Sequence, residues 1–366
     1  MSRLQRVQTN AQLLFSTASR TESPVQIPEI VKSAVYTTAH VSGLSRALAR
    51  RYRGRGIIFA LHSIADDAAF HPDHTLRCPV GKLDWILGWL RQQQLDFVTL
   101  DEAVERLDAP SARPFVAFTF DDGFADTLTK ALPVMEKFNA PFAVYVPTGT
   151  ITRDLDAWWL GVAALLRSHD QIELPAIGRF DCADDLSKQR AYSAVETAIH
   201  RDFDLLPALH AALDAAGIRI RALVDEEALT AKQLRTLAQH SLVTIGGHTT
   251  THPNLARAPA ATVRVEMAEN RRFLEELTGM PVVHNAYPFG HAGACGEREA
   301  DISRALGFRT SVTMRAGTIF PEHRCHLHAL PRVCLTRREN ASTLYCKLNG
   351  LGRAISSRFG DPIAVM

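Results

Sequence analysis

The chain has 366 residues, of which 46% are hydrophobic, enough for one large domain or two ordinary ones with a sizeable core. Its net charge of +2 gives no general case for nucleic-acid binding, although residues 1–55 carry +7 and the remainder −5. The six cysteines (Cys78, Cys182, Cys295, Cys325, Cys334, Cys346) form no C-x-x-C pair, which argues against a zinc knuckle and a disulfide framework. No apolar run approaches the ~18 residues of a membrane span, and the polar N-terminus lacks the apolar stretch of a secretory signal. A cytoplasmic location with reduced thiols is the expectation.

Residues 1–30 are polar and interrupted by Ser-Pro and Ile-Pro, and read as a loose arm. From Val31 to Arg55 the pattern is helix-compatible and ends in Arg46, Arg50, Arg51, Arg53 and Arg55. A basic segment of this kind suits peripheral contact with an anionic membrane at its inner face; a solvated helix on the domain edge is the alternative. Gly56–Leu61 is expected to be the first buried strand, with His62 and Ser63 at its end. Trp85, Ile86, Trp89 and Leu90 fall at helical spacing. A strand over Phe97–Leu100, a helix opening at Asp101, a strand over Phe115–Phe120, a helix near Leu128–Phe138 and a strand over Phe142–Val146 follow. Strand alternating with helix predicts an α/β fold with a parallel sheet.

The rhythm breaks over about 156–225, where helical patterns near Trp159–Leu166, Ala191–His200 and Leu205–Ala215 predict a largely helical insertion bordering the site. Thr230-Ala231-Lys232-Gln233 has the form of a capping box. It leads to a strand over Leu242–Ile245, a long amphipathic helix over Thr262–Leu277 closed by Gly279, and a strand over Val282–Tyr287. A helix over Glu297–Leu306 and strands over Phe308–Thr313 and Leu330–Leu335 complete the pattern.

Two stretches carry chemistry. Phe115–Phe120 is six apolar, β-prone residues without polar alternation, a strand covered on both faces, and it ends in Asp121-Asp122-Gly123. In parallel folds the carboxyl ends of strands carry the active residues. Gly246-Gly247-His248-Thr249-Thr250-Thr251-His252-Pro253 follows another strand and reaches the same rim. The i, i+4 histidines are expected on one helical turn that Pro253 ends. Two histidines and a carboxylate, with positions left for water, form the ligand set of a catalytic metal site.

Thr119-Phe120-Asp121-Asp122-Gly123 and His248–Pro253 resemble the first two motifs of polysaccharide deacetylases with a NodB-homology domain, in particular bacterial enzymes associated with exopolysaccharide or glycolipid assembly. The likeness extends over about Gly56–Leu335 and takes in Leu61-His62-Ser63, the Trp158-Trp159 pair and Tyr287-Pro288-Phe289-Gly290. It implies a distorted, incomplete (β/α) barrel and one divalent metal, usually zinc, that serves hydrolysis of N-acetyl groups on amino sugars. Carried over by position, Asp121 is the general base and Asp122, His248 and His252 bind the metal. Phe289 supplies a backbone N–H to the oxyanion, and Tyr287, Trp158 and Trp159 are expected to contact substrate. The implied organisation is an N-terminal arm and basic helix (1–55), a catalytic domain (56–335) and a C-terminal tail (336–366).

The expected substrate is an amino-sugar glycan in a polysaccharide, oligosaccharide or lipid-linked form. Hydrolysis of another amide, such as an N-formyl sugar, and a non-catalytic glycan-binding or assembly role are the alternatives. The sequence departs from the family in two places. Ala286 stands where an arginine pairing with the base is common, and no Leu-x-His follows near the C-terminus. Arg332, on the last strand, is therefore expected to replace that arginine and to pair with Asp121 as a bidentate fork; an exposed, solvated arginine is the alternative. The general acid is expected to be His62, with His328 as the other candidate.

Overall fold

The structure is a computed structural model that describes residues 29–66, 71–72, 76–109 and 113–366. The arm expected over residues 1–30 lies almost entirely outside them. The chain divides into two compact units: Gly54–Glu339 with Ile363–Met366, and the described part of Met1–Arg53 with Asn340–Pro362.

The larger unit is built on eight parallel strands: β1 (Gly56–Leu61), β2 (Asp96–Phe97), β3 (Phe115–Phe120), β4 (Phe142–Val146), β5 (Val243–Gly247), β6 (His284–Ala286), β7 (Thr310–Val312) and β8 (Val333–Cys334). Their order across the sheet is β7-β6-β5-β4-β3-β1-β8, with β2 also pairing β3. Both β1 and β3 are buried at all six positions, which is why each reads as an unbroken apolar run. They pair in register from Gly56 opposite Phe115 to Leu61 opposite Phe120. His62 and Asp121 therefore leave the sheet side by side.

The sheet curls until its edges meet through a thin seam at 330–335. Leu330 N–H donates to the Ser311 carbonyl and Thr313 N–H to the Leu330 carbonyl, while Leu335 N–H donates to the Ala60 carbonyl. One short segment thus binds β7 at one end and β1 at the other. A seam of a two-residue strand and a single bridge makes this a distorted, incomplete (β/α) barrel.

Several boundaries differ from the sequence pattern. The strand expected over Phe97–Leu100 is only Asp96–Phe97, because Thr99 caps a helix that opens at Leu100 and forms a capping box with Glu102. The last strand shrinks to Val333–Cys334 because residues 330–332 switch partners at the seam. The long helix runs Ala260–Thr278 and ends at Gly279, whose φ of 71° is the left-handed cap.

Residues 156–225 hold the helices Trp158–Ser168, Asp185–Arg201 and Leu206–Ala215, the start of Ile220–Glu227, and an antiparallel hairpin of Gln171–Leu174 with Gly178–Asp181. This region packs a core that includes Trp158, Leu166, Val195, Ile199 and Leu213 and is joined by Leu76 and Phe124 from outside it.

In the smaller unit the helices Glu29–Val41, Leu44–Tyr52, Ala341–Leu348 and Leu351–Ser356 share a core of Ala39, Cys346 and Leu351. The stretch set apart in the sequence as a tail, 336–366, therefore holds two helices here. Tyr52 Oη donates to the Gly360 carbonyl at 2.9 Å, and His40 stacks on Tyr345. None of the six cysteines forms a disulfide among the described residues. Among the described residues no helix is long and apolar enough to cross a membrane.

Candidate active site

At the C-terminal mouth of the sheet the chain turns sharply after β3. Asp122 and Gly123 both adopt the left-handed conformation, with φ of 70° and 72°. Aspartate tolerates that region better than most residues, and a Cβ at position 123 would meet Val146 Cγ1 at 3.0 Å. This backbone sends Asp121 and Asp122 in different directions. The Asp122 carbonyl is pinned by Thr150 Oγ1 at 2.9 Å.

Asp121 turns inward to the seam. Its carboxylate is gripped by Arg332, Nη1 to Oδ1 and Nη2 to Oδ2, each at 2.7 Å. Arg332 is 1% exposed and also donates from Nη1 to Thr119 Oγ1 at 2.9 Å and from Nε to the Thr313 carbonyl at 3.1 Å. Its position between Leu330 and Val333 aims the side chain into the barrel, so the seam that closes the sheet also delivers the guanidinium. Burial by itself raises the Asp121 pKa, but the Arg332 charge and hydrogen bonds outweigh it and the net direction is down. The carboxylate is ionised and fixed in orientation, as a base must be.

Asp122 faces two imidazoles. Its Oδ1 lies 3.5 Å from His248 Nε2 and 3.4 Å from His252 Nε2. One ligand atom from each of Asp122, His248 and His252 lies within 4.8 Å of the others, and all three residues are buried. The expected helical turn across the histidines is not what brings them together. Thr249 and His252 have φ of 66° and 58°, so 248–252 is a loop with two left-handed residues. For a β-branched residue this is strain, and strain of this kind concentrates at functional sites.

That loop is held by residues the sequence reading missed. Asn270 Oδ1 accepts from His248 N–H at 2.9 Å, and Glu266 Oε2 accepts from the N–H groups of Thr250 and Thr251 at 2.8 Å each. The available signal was Asn270 itself, a polar residue in the core-facing register of Val263, Met267 and Leu274. Gly247 must be bare there, since a Cβ would meet Asn270 Oδ1 at 2.8 Å.

The three side chains fit a divalent metal. His248 Nδ1 lies 2.8 Å from the Ala286 carbonyl, to which it donates, so that Nε2 is the ring atom that faces Asp122. His252 is pushed down to about 3, mainly by burial, and so is neutral. Burial raises the Asp122 pKa, but the His248 hydrogen bond and the nearby histidines outweigh it and hold the carboxyl well below the usual range. Burial also disfavours protonated His248, yet Asp122 and Asp121 outweigh that and its pKa goes up. The negative potential that draws a proton to this buried ring would equally hold a cation.

Asp121, Asp122, His248, His252 and His62 line one cavity of about 280 Å³, together with Tyr287, Phe289, Trp158 and Trp159. Arg332 sits behind Asp121 and does not line it. His328 does not line it either: its Nδ1 is 3.4 Å from Ser303 Oγ, and its carbonyl accepts from Tyr287 Oη at 2.9 Å. That bond occupies the Tyr287 hydroxyl. Trp159 packs on His252 with ring centroids 5.0 Å apart, and Phe289, at φ 59°, packs on the same imidazole at 4.8 Å. The cavity also takes Tyr192, Glu196, His200 and His291, none of which the sequence reading singled out.

A family model described as polysaccharide deacetylase matches residues 108–311, more than half of the chain. The chain belongs to the polysaccharide deacetylase family. As such it is a hydrolase of amide carbon–nitrogen bonds in N-acetyl sugars and acts in the deacetylation of glycans. Its fold is shared with the Streptococcus pyogenes deacetylase PplD, solved with acetate, at 16% identity and a TM-score of 0.51 over 81% of this chain and 97% of that one. IcaB from Ammonifex degensii gives 16% and 0.52 over 82% and 98%. A de-N-acetylase from Aggregatibacter actinomycetemcomitans gives 13% and 0.52 over 80% and 99%. At these identities the likeness is one of fold. No curated protein sequence matches the chain.

Proposed function

We propose that this deacetylase depends on one divalent metal, most simply zinc, and removes N-acetyl groups from amino sugars of a polysaccharide, oligosaccharide or lipid-linked glycan. The observation that carries this reading is the pairing of two carboxylates in two roles. Asp121 is held off the ligand cluster by the Arg332 fork, while Asp122 faces His248 and His252 in the same cavity. A binding module has no need of a base beside a ligand triad.

A divalent ion held by Asp122, His248 and His252 would supply Lewis-acid polarisation of the acyl oxygen and lower the pKa of a water from about 15.7 towards 7. Asp121 takes the proton of the attacking water as its oxygen bonds to the acyl carbon. The Phe289 N–H is placed in this reading as a donor to the developing oxyanion. His62, which leaves β1 beside Asp121 and lines the cavity, gives a proton to the amine nitrogen as the carbon–nitrogen bond breaks. The products are acetate and the free amino sugar. Trp158, Trp159 and Tyr287 provide apolar walls for the sugar.

Acetate release from a panel of N-acetylated glycans and lipid-linked sugars, with chelator and then with added zinc, tests this directly. Release that chelator leaves untouched would reject metal dependence. The triad is tested by metal analysis: the His248→Ala, His252→Ala double variant is expected to lose the single bound metal while keeping its circular dichroism. Unchanged stoichiometry would place the site elsewhere.

The cytoplasm remains the proposed location, with the smaller unit touching the inner face of the membrane. Support comes from Arg46, Arg50, Arg51 and Arg53, all exposed on or just after the Leu44–Tyr52 helix. Each basic side chain near an anionic surface contributes about 1 kcal/mol. Full-length protein is expected to sediment with phosphatidylserine vesicles at low salt, and a triple Arg46, Arg50, Arg51→Glu variant to remain in the supernatant. Equal sedimentation of the two would rule the contact out.

A further inference from the structure

The Asp185–Arg201 helix presents two stripes. Ala191, Val195 and Ile199 recur at i, i+4, i+8 and are buried in the core of residues 155–228. The neighbouring stripe, Tyr192, Glu196 and His200, has the same spacing and lines the catalytic cavity. The helix is fixed at its start by the Asp184–Ser187 capping box, with Ser187 N–H donating to Asp184 Oδ1 at 2.7 Å. Its last turn is fixed by rings, with His200 lying 4.7 Å from Phe289 and 5.8 Å from Trp158 between centroids. The stripe therefore stands on a rigid element, as recognition residues must to be precise.

Its chemistry suits a sugar ring. His200 is pushed down to about 4, chiefly by burial and further by His291 and Arg257, so the ring is neutral. Its Nδ1 is buried without a hydrogen-bond partner. A buried N–H without an acceptor is rarer than a bare acceptor, so the proton belongs on Nε2 and the opposite edge of the ring is a donor. Glu196, one turn earlier, is an acceptor. A donor and an acceptor on one helix face, beside the aromatic surfaces of Tyr192, Trp158 and Trp159, match the alternating hydroxyls and apolar face of a pyranose. The cavity of about 280 Å³ lies just below the ~300–1,000 Å³ range of ordinary small-molecule pockets. One ring with its acyl group fills such a space.

We propose that the Tyr192–Glu196–His200 face reads the reacting ring itself, and that the enzyme acts on a single or chain-terminal N-acylated amino sugar rather than on internal units of a polymer. This inference rests on the deacetylase reading. It makes Glu196 and His200 specificity-determining residues that bind ring hydroxyls without touching the bond that breaks.

The test uses zinc-loaded, full-length enzyme with the methyl glycosides of N-acetylglucosamine and N-acetylgalactosamine and with tetra-N-acetylchitotetraose, following acetate and locating the deacetylated ring by mass spectrometry. At least one single-ring glycoside is expected to show kcat/KM within about tenfold of the tetramer, and the tetramer to lose acetyl from a terminal ring only. Glu196→Gln and His200→Phe are each expected to raise KM about tenfold, with kcat and zinc content near wild type, the pattern of lost uniform binding. His200→Gln, which keeps a donor, should restore KM to near wild type, which a merely structural histidine would not allow. Deacetylation of internal rings with no turnover of either glycoside would overturn the inference and leave the deacetylase reading standing. Unchanged KM in both variants would equally remove these residues from recognition. No acetate from any substrate would count against the deacetylase reading, and this inference would fall with it.

Discussion

Asp121→Asn is expected to cut kcat by about 10²- to 10⁴-fold, the usual worth of a positioned general base, while the variant still binds one metal. The expectation follows from the division of labour between adjacent carboxylates. Asp122 faces His248 and His252 at 3.5 and 3.4 Å, whereas both oxygens of Asp121 are gripped by Arg332 at 2.7 Å. Losing the Asp121 charge therefore leaves the ligand triad intact. The amide retains one acceptor for the guanidinium but turns its NH₂ towards the other Nη, so some loss of stability accompanies the loss of basicity. Metal content and circular dichroism separate the two effects. Near-normal turnover by the metal-loaded variant would remove Asp121 from the role of base.

What the sequence made legible was the set of elements whose environment is uniform along the chain. The β1 and β3 strands are buried at every position, so their apolar runs mark them at their true boundaries, and Asp121-Asp122-Gly123 is legible because only the mouth of such a strand tolerates two carboxylates. Features that depend on a distant partner were not legible. The histidine pair is plain in the sequence, but its loop conformation depends on Asn270 and Glu266, about twenty residues on. Sequence spacing alone suggested a helical turn that the left-handed Thr249 and His252 forbid. His62 and His328 carried similar weight until the fold set one in the cavity and the other behind Tyr287. The insertion announced its helices through their periodicity, but which stripe faces the cavity depends on how the insertion docks on the barrel.

Arg332 is the residue on which the site and the fold depend together, and Arg332→Met should show both. Removing one partner of a fully buried ion pair leaves an uncompensated charge and costs about 3–5 kcal/mol. Because the Asp121 pKa is depressed in the folded protein, the pair contributes stability that is fully present above the unfolded aspartate value of about 3.9 and is lost as pH falls through the folded value. The gap in denaturation midpoint between wild type and Arg332→Met is therefore expected to be widest near neutrality and to narrow towards acid, where protonated Asp121 no longer needs a partner. The same change should move activity. Burial, no longer opposed by the guanidinium, raises the Asp121 pKa, so the acidic limb of kcat/KM shifts to higher pH. Arg332→Lys keeps the charge but loses the fork, and is expected to restore most of the limb position with less of the turnover, because a point charge ionises the carboxylate without fixing its plane. If the acidic limbs of Arg332→Met and wild type superimpose, the guanidinium does not set the ionisation of the base, and its contribution is confined to closing the seam between β7 and β1.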